Sequence, residues 1–169
     1  FQVASAAALA STDVITGGDG VDVINFSAAQ TVVDSQLTGV STVETITSGD
    51  VAMTITLGAQ ATEAGIVTVT LGNAANTLVA SSHTLDTAIT GGTGVDKITG
   101  GSGNDTIIGG TGADIYTFAA TAALNGTDVY ATNFVRTDDK ADFSAFLSGG
   151  SFNSTVAESN GTSDVDITN

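Results

Sequence analysis

The stretch "GGTGVDKITGGSGNDTIIGGTGADIYTF", residues 91–118, decides the fold. It reads Gly-Gly-x-Gly-x-Asp-x-apolar-x three times in succession, which places Asp96, Asp105 and Asp114 nine residues apart. A single glycine-rich loop is weak evidence, because such loops are common. Three copies in frame predict a repeating backbone unit in which every copy does the same job.

Further copies lie outside this stretch. One intact copy, Gly17–Asn25, has Asp22 at position six, and the nine residues before it keep Asp13 in the same register. Two weaker copies follow, at residues 71–79, where Asn76 replaces the acid, and at 82–90, where only Ile89 matches. The repeat therefore brackets a middle region that has lost most of its acids.

The middle region alternates apolar residues with threonine. Residues 51–57 and 66–71 each follow the period of two that is typical of a half-buried strand. "MTITLGAQAT" from Met53 aligns with "VTVTLGNAAN" from Val67, an offset of 67 − 53 = 14. Self-similarity at a fixed period predicts a solenoid, and this offset is a candidate for its period.

Composition limits the partners. The 169 residues carry 18 Asp plus Glu against 3 Lys plus Arg, a formal net charge of −15. This balance argues against nucleic acid and anionic membranes as partners and in favour of cations. The chain has no Cys, which excludes disulfides and thiolate metal sites. No apolar run is long enough to predict a transmembrane segment.

Acidity with few aromatic residues is also typical of disordered chains. Here 41% of the residues are hydrophobic and they alternate along the chain, which favours order that depends on a cation.

The nonapeptide predicts six residues of turn and three of strand. Position eight is expected to point into the core (Ile24, Ile98, Ile107 and Tyr116). Glycines permit positive φ and let carbonyl groups face one point, at which the aspartate also aims. Such an all-oxygen site suits calcium better than magnesium. Zinc is disfavoured, since the chain has no Cys and the lone His83 lies in a degenerate repeat. His83 is expected to be a solvent-facing loop residue.

Charge repulsion makes the cation a requirement for folding. Aspartates on coils stacked about 4.8 Å apart repel by roughly 3.5 kcal/mol per pair at an effective dielectric near 20. A whole domain is stable by only about 5–15 kcal/mol. Folding is therefore expected to be coupled to calcium binding.

The predicted metal residues are the acids at position six and the glycines at positions two and four. They are Asp13, Gly18, Gly20, Asp22, Gly92, Gly94, Asp96, Gly101, Gly103, Asp105, Gly110, Gly112 and Asp114. Asp128, Asp138 and Asp139 are expected to be surface or turn acids instead.

These nonapeptides resemble the RTX (repeats-in-toxin) calcium-binding family. The segment at residues 127–146 is similar to sequence that follows RTX repeats in secreted proteins. "LTGVSTVETI", Leu37 to Ile46, resembles the calcium-poor ladders of RTX-bearing S-layer and surface proteins.

The resemblance implies an all-β fold, a right-handed parallel β-roll or β-helix solenoid with two nonapeptides per coil and calcium between neighbouring turns. Asp96 and Asp114 would share an ion. Asp105 would have neighbours near Thr87 and Ala123, neither of them an acid, so that its site would be weaker or would rely on Asp86. Asp22 would face Val40, which is no acid, so the resemblance implies about two to five ions.

One continuous solenoid domain is predicted, as a piece of a longer chain. Its segments are a first calcium turn (1–26), a calcium-poor ladder (27–90), the RTX roll (91–118) and a C-terminal cap and tail (119–169). The cap is expected to contain a tight turn at residues 137–140, and the tail to end in a strand at "DVDIT".

The leading functional hypothesis is a non-enzymatic, calcium-dependent structural module of a secreted bacterial surface protein, such as an S-layer, matrix or filament protein. It would leave the cell by type I secretion and self-associate outside. Two alternatives stay open: the C-terminal secretion and folding module of an RTX protease or lipase, and an RTX adhesin domain.

Overall fold

The computed structural model describes residues 1–3, 9–119, 125–130, 134–135 and 137–145. These residues form a parallel β-solenoid of about six turns with little helix, which confirms the predicted fold class. Within them, no helix has the length and apolar character needed to cross a membrane. The strand predicted at "DVDIT" lies outside the described residues.

Two parallel sheets form opposite walls of the solenoid. Sheet one contains β1 (Gln2–Val3), β3 (Val23–Phe26), β6 (Thr45–Ser48), β8 (Thr68–Thr70), β10 (Ala88–Gly92), β12 (Thr106–Gly110) and β14 (Val129–Tyr130). Sheet two contains β4 (Gln30–Val32), β7 (Met53–Thr56), β9 (Thr77–Val79), β11 (Lys97–Thr99), β13 (Ile115–Thr117) and β15 (Lys140–Asp142).

Shorter elements fill the turns of the early coils. A two-stranded sheet pairs β2 (Ile15–Thr16) with β5 (Val40–Ser41). A 3₁₀ helix occupies Asp34–Leu37, and the helix α1 occupies Ala59–Ala64.

The core contains two columns of apolar side chains, one from each sheet. Strand pairing in register stacks equivalent residues of successive coils, and all members of both columns are at most 2% exposed. The columns are Ile24, Ile46, Val69, Ile89 and Ile107 in sheet one, and Val32, Ile55, Leu78, Ile98 and Tyr116 in sheet two. The prediction that position eight of the nonapeptide points inward is confirmed.

Coil length changes along the solenoid. Paired residues are 22 or 23 positions apart in the first coils of the ladder, as in Ile24↔Ile46 and Ile46↔Val69. They are 20 apart in the next coil, as in Val69↔Ile89 and Leu78↔Ile98. The spacing falls to 18 between β10 and β12, which is two nonapeptides. It rises again to 25 between β13 and β15. The candidate period of 14 is wrong, because β7 and β8 belong to opposite sheets.

Both sheets continue into the cap. β14 extends sheet one and β15 extends sheet two, and a turn at Thr137 and Asp138 precedes β15 as predicted. The roll and the described part of the cap thus share one continuous strand ladder.

Candidate calcium sites

Acidic residues stand directly before the strands of the roll, in two stacks. Acid ladder two, before the strands of sheet two, consists of Asp96, Asp114 and Asp139, with Asn76 at the equivalent position in the coil before Asp96. Acid ladder one, before the strands of sheet one, has Asp22 and Glu44 at its start and Asp105 and Asp128 at its end, with Thr87 at the equivalent position in the coil before Asp105. The parallel register brings each acid beside its equivalent in the next coil.

One carboxylate oxygen of each acid in ladder two is held by the coil before it. The backbone N–H of Asn76 donates to Asp96 Oδ1 (2.8 Å), that of Asp96 to Asp114 Oδ1 (2.9 Å), and that of Asp114 to Asp139 Oδ1 (2.9 Å). This repeated contact fixes the carboxylates in a row along the solenoid axis.

The second oxygen of two of these acids has no partner. Asp96 and Asp114 are 1% and 0% exposed, and the Oδ2 atom of each is buried without a hydrogen bond. A buried carboxylate oxygen without a partner is costly, because water no longer solvates it. Both residues therefore need a cation or a proton at this position.

Burial of these carboxylates also raises their pKa values. It raises the pKa of Asp96 to about 6, opposed by hydrogen bonds from Asn76 and reinforced by the charge of Asp114. Burial also raises the pKa of Asp114, opposed by the hydrogen bond from Asp96 and reinforced by the charge of Asp139. A divalent cation between the coils would reverse both effects by favouring the ionised form.

Asn76 shows which groups surround position six. Its amide Nδ2 donates to the carbonyl oxygens of Gly72 (3.2 Å) and Ala74 (2.6 Å) and to Asp96 Oδ1 (3.0 Å). Gly72 and Ala74 hold positions two and four of the weak copy at 71–79. Where position six is an ionised aspartate it has no proton to donate. A calcium ion would then supply the positive charge that those oxygens require, so the residues present fit calcium.

The predicted glycines lie at the positions that the repeat assigns. Five have positive φ, from 106° to 139°: Gly18, Gly20, Gly92, Gly110 and Gly112. The reason is clearest at Gly110, where a Cβ would also collide with the carbonyl oxygen of Gly92 in the coil before. A Cβ on Gly94, Gly101 or Gly103 would likewise meet backbone of the preceding coil. Glycine therefore permits both the turn and the close stacking of turns.

Acid ladder one differs from the prediction. The backbone N–H of Thr87 donates to Asp105 Oδ1 (2.9 Å), and that of Asp105 donates to Asp128 Oδ1 (2.9 Å). The neighbour of Asp105 in the next coil is thus an acid, Asp128, because that coil is 23 residues long and not 18. Ala123, the predicted neighbour, lies outside the described residues. Asp86 instead accepts a hydrogen bond from the N–H of Asn104 (2.7 Å).

Burial raises the pKa of Asp128 to about 6, and the charge of Asp105 adds to the rise. This is the same behaviour as in ladder two.

The first intact copy also has an acidic neighbour. The N–H of Asp22 donates to Glu44 Oε2 (2.8 Å), so the prediction that Val40 faces Asp22 is wrong. That coil is 22 residues long. Asp13 stays apart from this pair: its Oδ2 accepts from the N–H of Ala10 (2.8 Å) within its own turn.

Sequence reasoning missed Asp128 and Asp139 as members of the ladders. Asp139 is 7% exposed, whereas the adjacent Asp138 is exposed as predicted. A signal for Asp128 was present, since "GTDVY" at 126–130 keeps the Gly-x-Asp-x-apolar spacing. The break in the nine-residue period concealed it.

His83 is a correction of the opposite kind. The side chain is 0% exposed, not solvent-facing. Its Nδ1 lies 3.0 Å from Thr62 Oγ1 and its Nε2 lies 2.8 Å from the carbonyl oxygen of Ile66. The imidazole therefore links the turn at 83 to the coil that contains α1, and both ring nitrogens are engaged in that link.

Side chains alone do not make a metal centre in the described part of the chain, where no group of three His, Cys, Asp or Glu residues gathers around one point. A calcium ion would need backbone carbonyl oxygens beside the one or two carboxylates that each turn provides, which is a coordination that calcium accepts readily.

Comparison with known proteins gives the same assignment. The family model of the RTX calcium-binding nonapeptide repeat matches in 4 copies, over residues 7–29 and 87–119. No curated protein and no solved structure matched the chain. The matched segments contain Asp22, Asp96, Asp105 and Asp114, together with the glycines that shape their turns. The chain thus carries RTX calcium-binding nonapeptide repeats, and they form a β-roll within its parallel solenoid.

Proposed function

We propose that this chain is a calcium-dependent structural module of a secreted bacterial cell-surface protein, an S-layer or an extracellular matrix or filament protein. It folds and assembles outside the cell when calcium binds. The observation that carries the proposal is the stack of buried carboxylates in acid ladder two, with Asp96 Oδ2 and Asp114 Oδ2 unpartnered. Several ions are needed, because the acids recur in each coil of the roll.

Calcium concentration would act as the signal that the chain has left the cell. Extracellular calcium modules have dissociation constants of about 0.1–1 mM. Below that range the carboxylates of adjacent coils repel each other and the roll stays unfolded. Above it, binding free energy becomes folding free energy. This behaviour suits export of an unfolded chain by a type I route.

A structural role, with no enzyme activity in this chain, is supported by how the polar groups are used. The one histidine, His83, is buried with both ring nitrogens in hydrogen bonds, so it is poorly placed to act as a general base. The acids of the roll and the described cap each accept a backbone hydrogen bond from the coil before and line up along the axis. Their arrangement serves the coil-to-coil contact.

Self-association is proposed from the edges and the charge. Among the described residues, the outermost strands are β1 and β14 in sheet one and β4 and β15 in sheet two, and terminal strands of a sheet can pair with another chain. The chain contains no proline, which would blunt such an edge, and its net charge of −15 opposes association until calcium reduces the repulsion.

The test is a calcium titration of the intact parent protein, followed by circular dichroism, light scattering and negative-stain imaging. We expect strand signal to appear at about 0.1–1 mM calcium, with sheets or filaments forming in the same range and dispersing in chelator. Equal strand signal in excess chelator would refute calcium-coupled folding. A protein that folds with calcium but stays monomeric would refute the assembly role and favour the exoenzyme module.

A further inference from the structure

The turn before β15 reproduces the nonapeptide turn without its sequence. The N–H of Val135 donates to Asp139 Oδ2 (2.7 Å), four residues along. In the consensus copy, the N–H of Gly101 donates to Asp105 Oδ2 over the same separation and distance. Asp139 Oδ1 accepts from Asp114, as Asp114 accepts from Asp96. Asp139 therefore makes the same two contacts as Asp105, a position-six acid of the consensus repeat.

The turn before β14 places Asp128 in acid ladder one, where its Oδ1 accepts a hydrogen bond from the N–H of Asp105 (2.9 Å). Gly126 stacks on Gly103, and the N–H of Thr127 donates to Asn104 Oδ1 (3.0 Å). A Cβ built on Gly100 would lie 2.8 Å from Asp105 Oδ2 and 3.2 Å from Asp128 Oδ2. Two carboxylate oxygens from neighbouring coils thus converge over one glycine.

We propose that Asp128 and Asp139 are calcium ligands, so that the calcium array continues one coil past the last nonapeptide and fastens the C-terminal cap to the roll. Asp128 would act with Asp105, and Asp139 with Asp114. The second pair includes Asp114 Oδ2, which is fully buried and has no hydrogen-bond partner. Asp128 Oδ2 lies on the side of Asp105 and, among the described residues, accepts one long hydrogen bond, from the Tyr130 hydroxyl (3.3 Å). The inference rests on the proposed calcium binding of the roll.

The junction between roll and cap carries its own spectroscopic probe. The ring of Tyr116, from the last nonapeptide, packs edge-on against Tyr130 of the cap, with centroids 5.3 Å apart. Phe118 lies between Tyr130 (5.0 Å) and Phe143 (4.4 Å). Tyr116 and Tyr130 are the only two tyrosines in the sequence, and there is no tryptophan. Tyrosine signals therefore report on this junction alone.

The cap sites can be tested with three asparagine variants of the full chain, Asp128→Asn, Asp139→Asn and the control Asp138→Asn. Asparagine removes the charge but keeps Oδ1 as an acceptor. Asn76, which stacks with acid ladder two, shows this, because its Oδ1 accepts from the N–H of Met53. Asp138→Asn removes the same charge one residue from Asp139, at an exposed position. Two measurements are made: calcium stoichiometry by titration calorimetry, and terbium luminescence sensitised by tyrosine, with terbium as the calcium substitute.

We expect Asp128→Asn and Asp139→Asn each to lose about one bound calcium and the part of the tyrosine-sensitised terbium emission that comes from its own site. The calcium concentration at which the tyrosine near-ultraviolet dichroism appears should rise several-fold in both. Asp138→Asn should match the parent in all three readouts. Unchanged stoichiometry and emission in the two ladder variants would overturn the inference.

Failure of the proposed function and failure of the cap sites alone give different results. If the parent itself binds neither calcium nor terbium, the proposed function is wrong, and with it the cap sites. If the parent binds calcium and Asp96→Asn reduces that binding while the cap variants do not, only the cap sites are wrong. Should a cap variant fail to fold in calcium, its glutamate counterpart, Asp128→Glu or Asp139→Glu, keeps the charge. Restored folding and terbium emission would support ligation, and their absence would count against it.

Discussion

The coils of the ladder (27–90) and those of the roll (91–118) contribute strands to the same two parallel sheets, but their turns are stabilised in different ways. In the ladder, protein groups do the closing. Asp34 accepts hydrogen bonds from the N–H groups of Gly58, Gln60 and Ala61 at the start of α1. His83 links Thr62 to Ile66. These coils are longer than two nonapeptides, with paired strand positions 20 to 23 apart, which gives room for such elements.

In the roll, the coil shortens to two nonapeptides and the turns contain glycine and aspartate. Carboxylates of neighbouring coils face each other, and two of their oxygens have no partner. The turns of one solenoid are thus held by internal hydrogen bonds in the ladder, whereas in the roll they leave carboxylate oxygens for a cation. Asn76 marks the boundary, because its amide donates where a cation would bind.

The largest difference between the two regions should appear on removal of calcium. In excess chelator we expect amides of β10 to β13 to lose hydrogen-exchange protection, while those of β6 to β8 keep most of theirs. Each site filled at 100 times its dissociation constant contributes about 2.7 kcal/mol, so several empty sites exceed the stability of the roll. Exchange measured by mass spectrometry with and without calcium decides this. Equal loss across both regions would remove the distinction.

Single ligands should have the next largest effect. Asp114→Ala is expected to weaken calcium binding by at least roughly tenfold, because a hydrogen-bonded charged group contributes about 1.5–3 kcal/mol. Asp138→Ala, which removes an exposed acid, should change the affinity little. Titration calorimetry of both proteins gives the comparison, and similar losses would contradict the assignment of Asp114 as a ligand.

A single substitution should shift the boundary between the ladder and the roll by one turn. Asn76→Asp places a carboxylate beside Asp96 and removes the amide donor from the carbonyl groups of Gly72 and Ala74. In chelator, where the roll is expected to be unfolded, loss of the amide donor should destabilise the remaining ladder by roughly 1–3 kcal/mol. In calcium it should bind about one more ion than the parent. Thermal melts in both conditions test this, with Asn73→Asp as an exposed control in the same turn. An unchanged ion count would show that the turn lacks the remaining ligands.

The smallest effect is a dependence on pH in the absence of calcium. The pKa of Asp96 is raised from 3.8 to about 6, so the folded protein binds more protons than the unfolded chain between these values. In chelator, where the roll is expected to be unfolded at pH 7, folding of the roll should therefore become more favourable as the pH falls from about 7 to about 4, since ∂ΔG/∂pH is negative wherever the folded state holds more protons. Asp128, whose pKa is also about 6, acts in the same direction. Circular dichroism in chelator should show a gain of strand signal on acidification, and a smaller gain for Asp96→Asn. A stability that falls on acidification would contradict the burial of these carboxylates.

Much of the roll could be predicted from the sequence because the nonapeptide is a local code. Three glycines, one acid and one apolar residue fix the turn and the inward side chain, and Ile98, Ile107 and Tyr116 lie in the core as that code requires. Strand alternation placed β7 and β8 as well. Coil length was not predictable in this way, because it depends on how far the chain travels between paired strands.

The amino-acid sequence by itself determined the solenoid, the calcium chemistry and the acids at position six, since these depend on residues within nine positions of one another. The tertiary structure alone decided which acids become neighbours. Coils of 22 to 25 residues outside the roll bring Glu44 to Asp22, Asp128 to Asp105 and Asp139 to Asp114. It also buried His83 between two coils. The physical reason is that strand pairing fixes the contacts between coils, whatever number of residues the intervening turns contain.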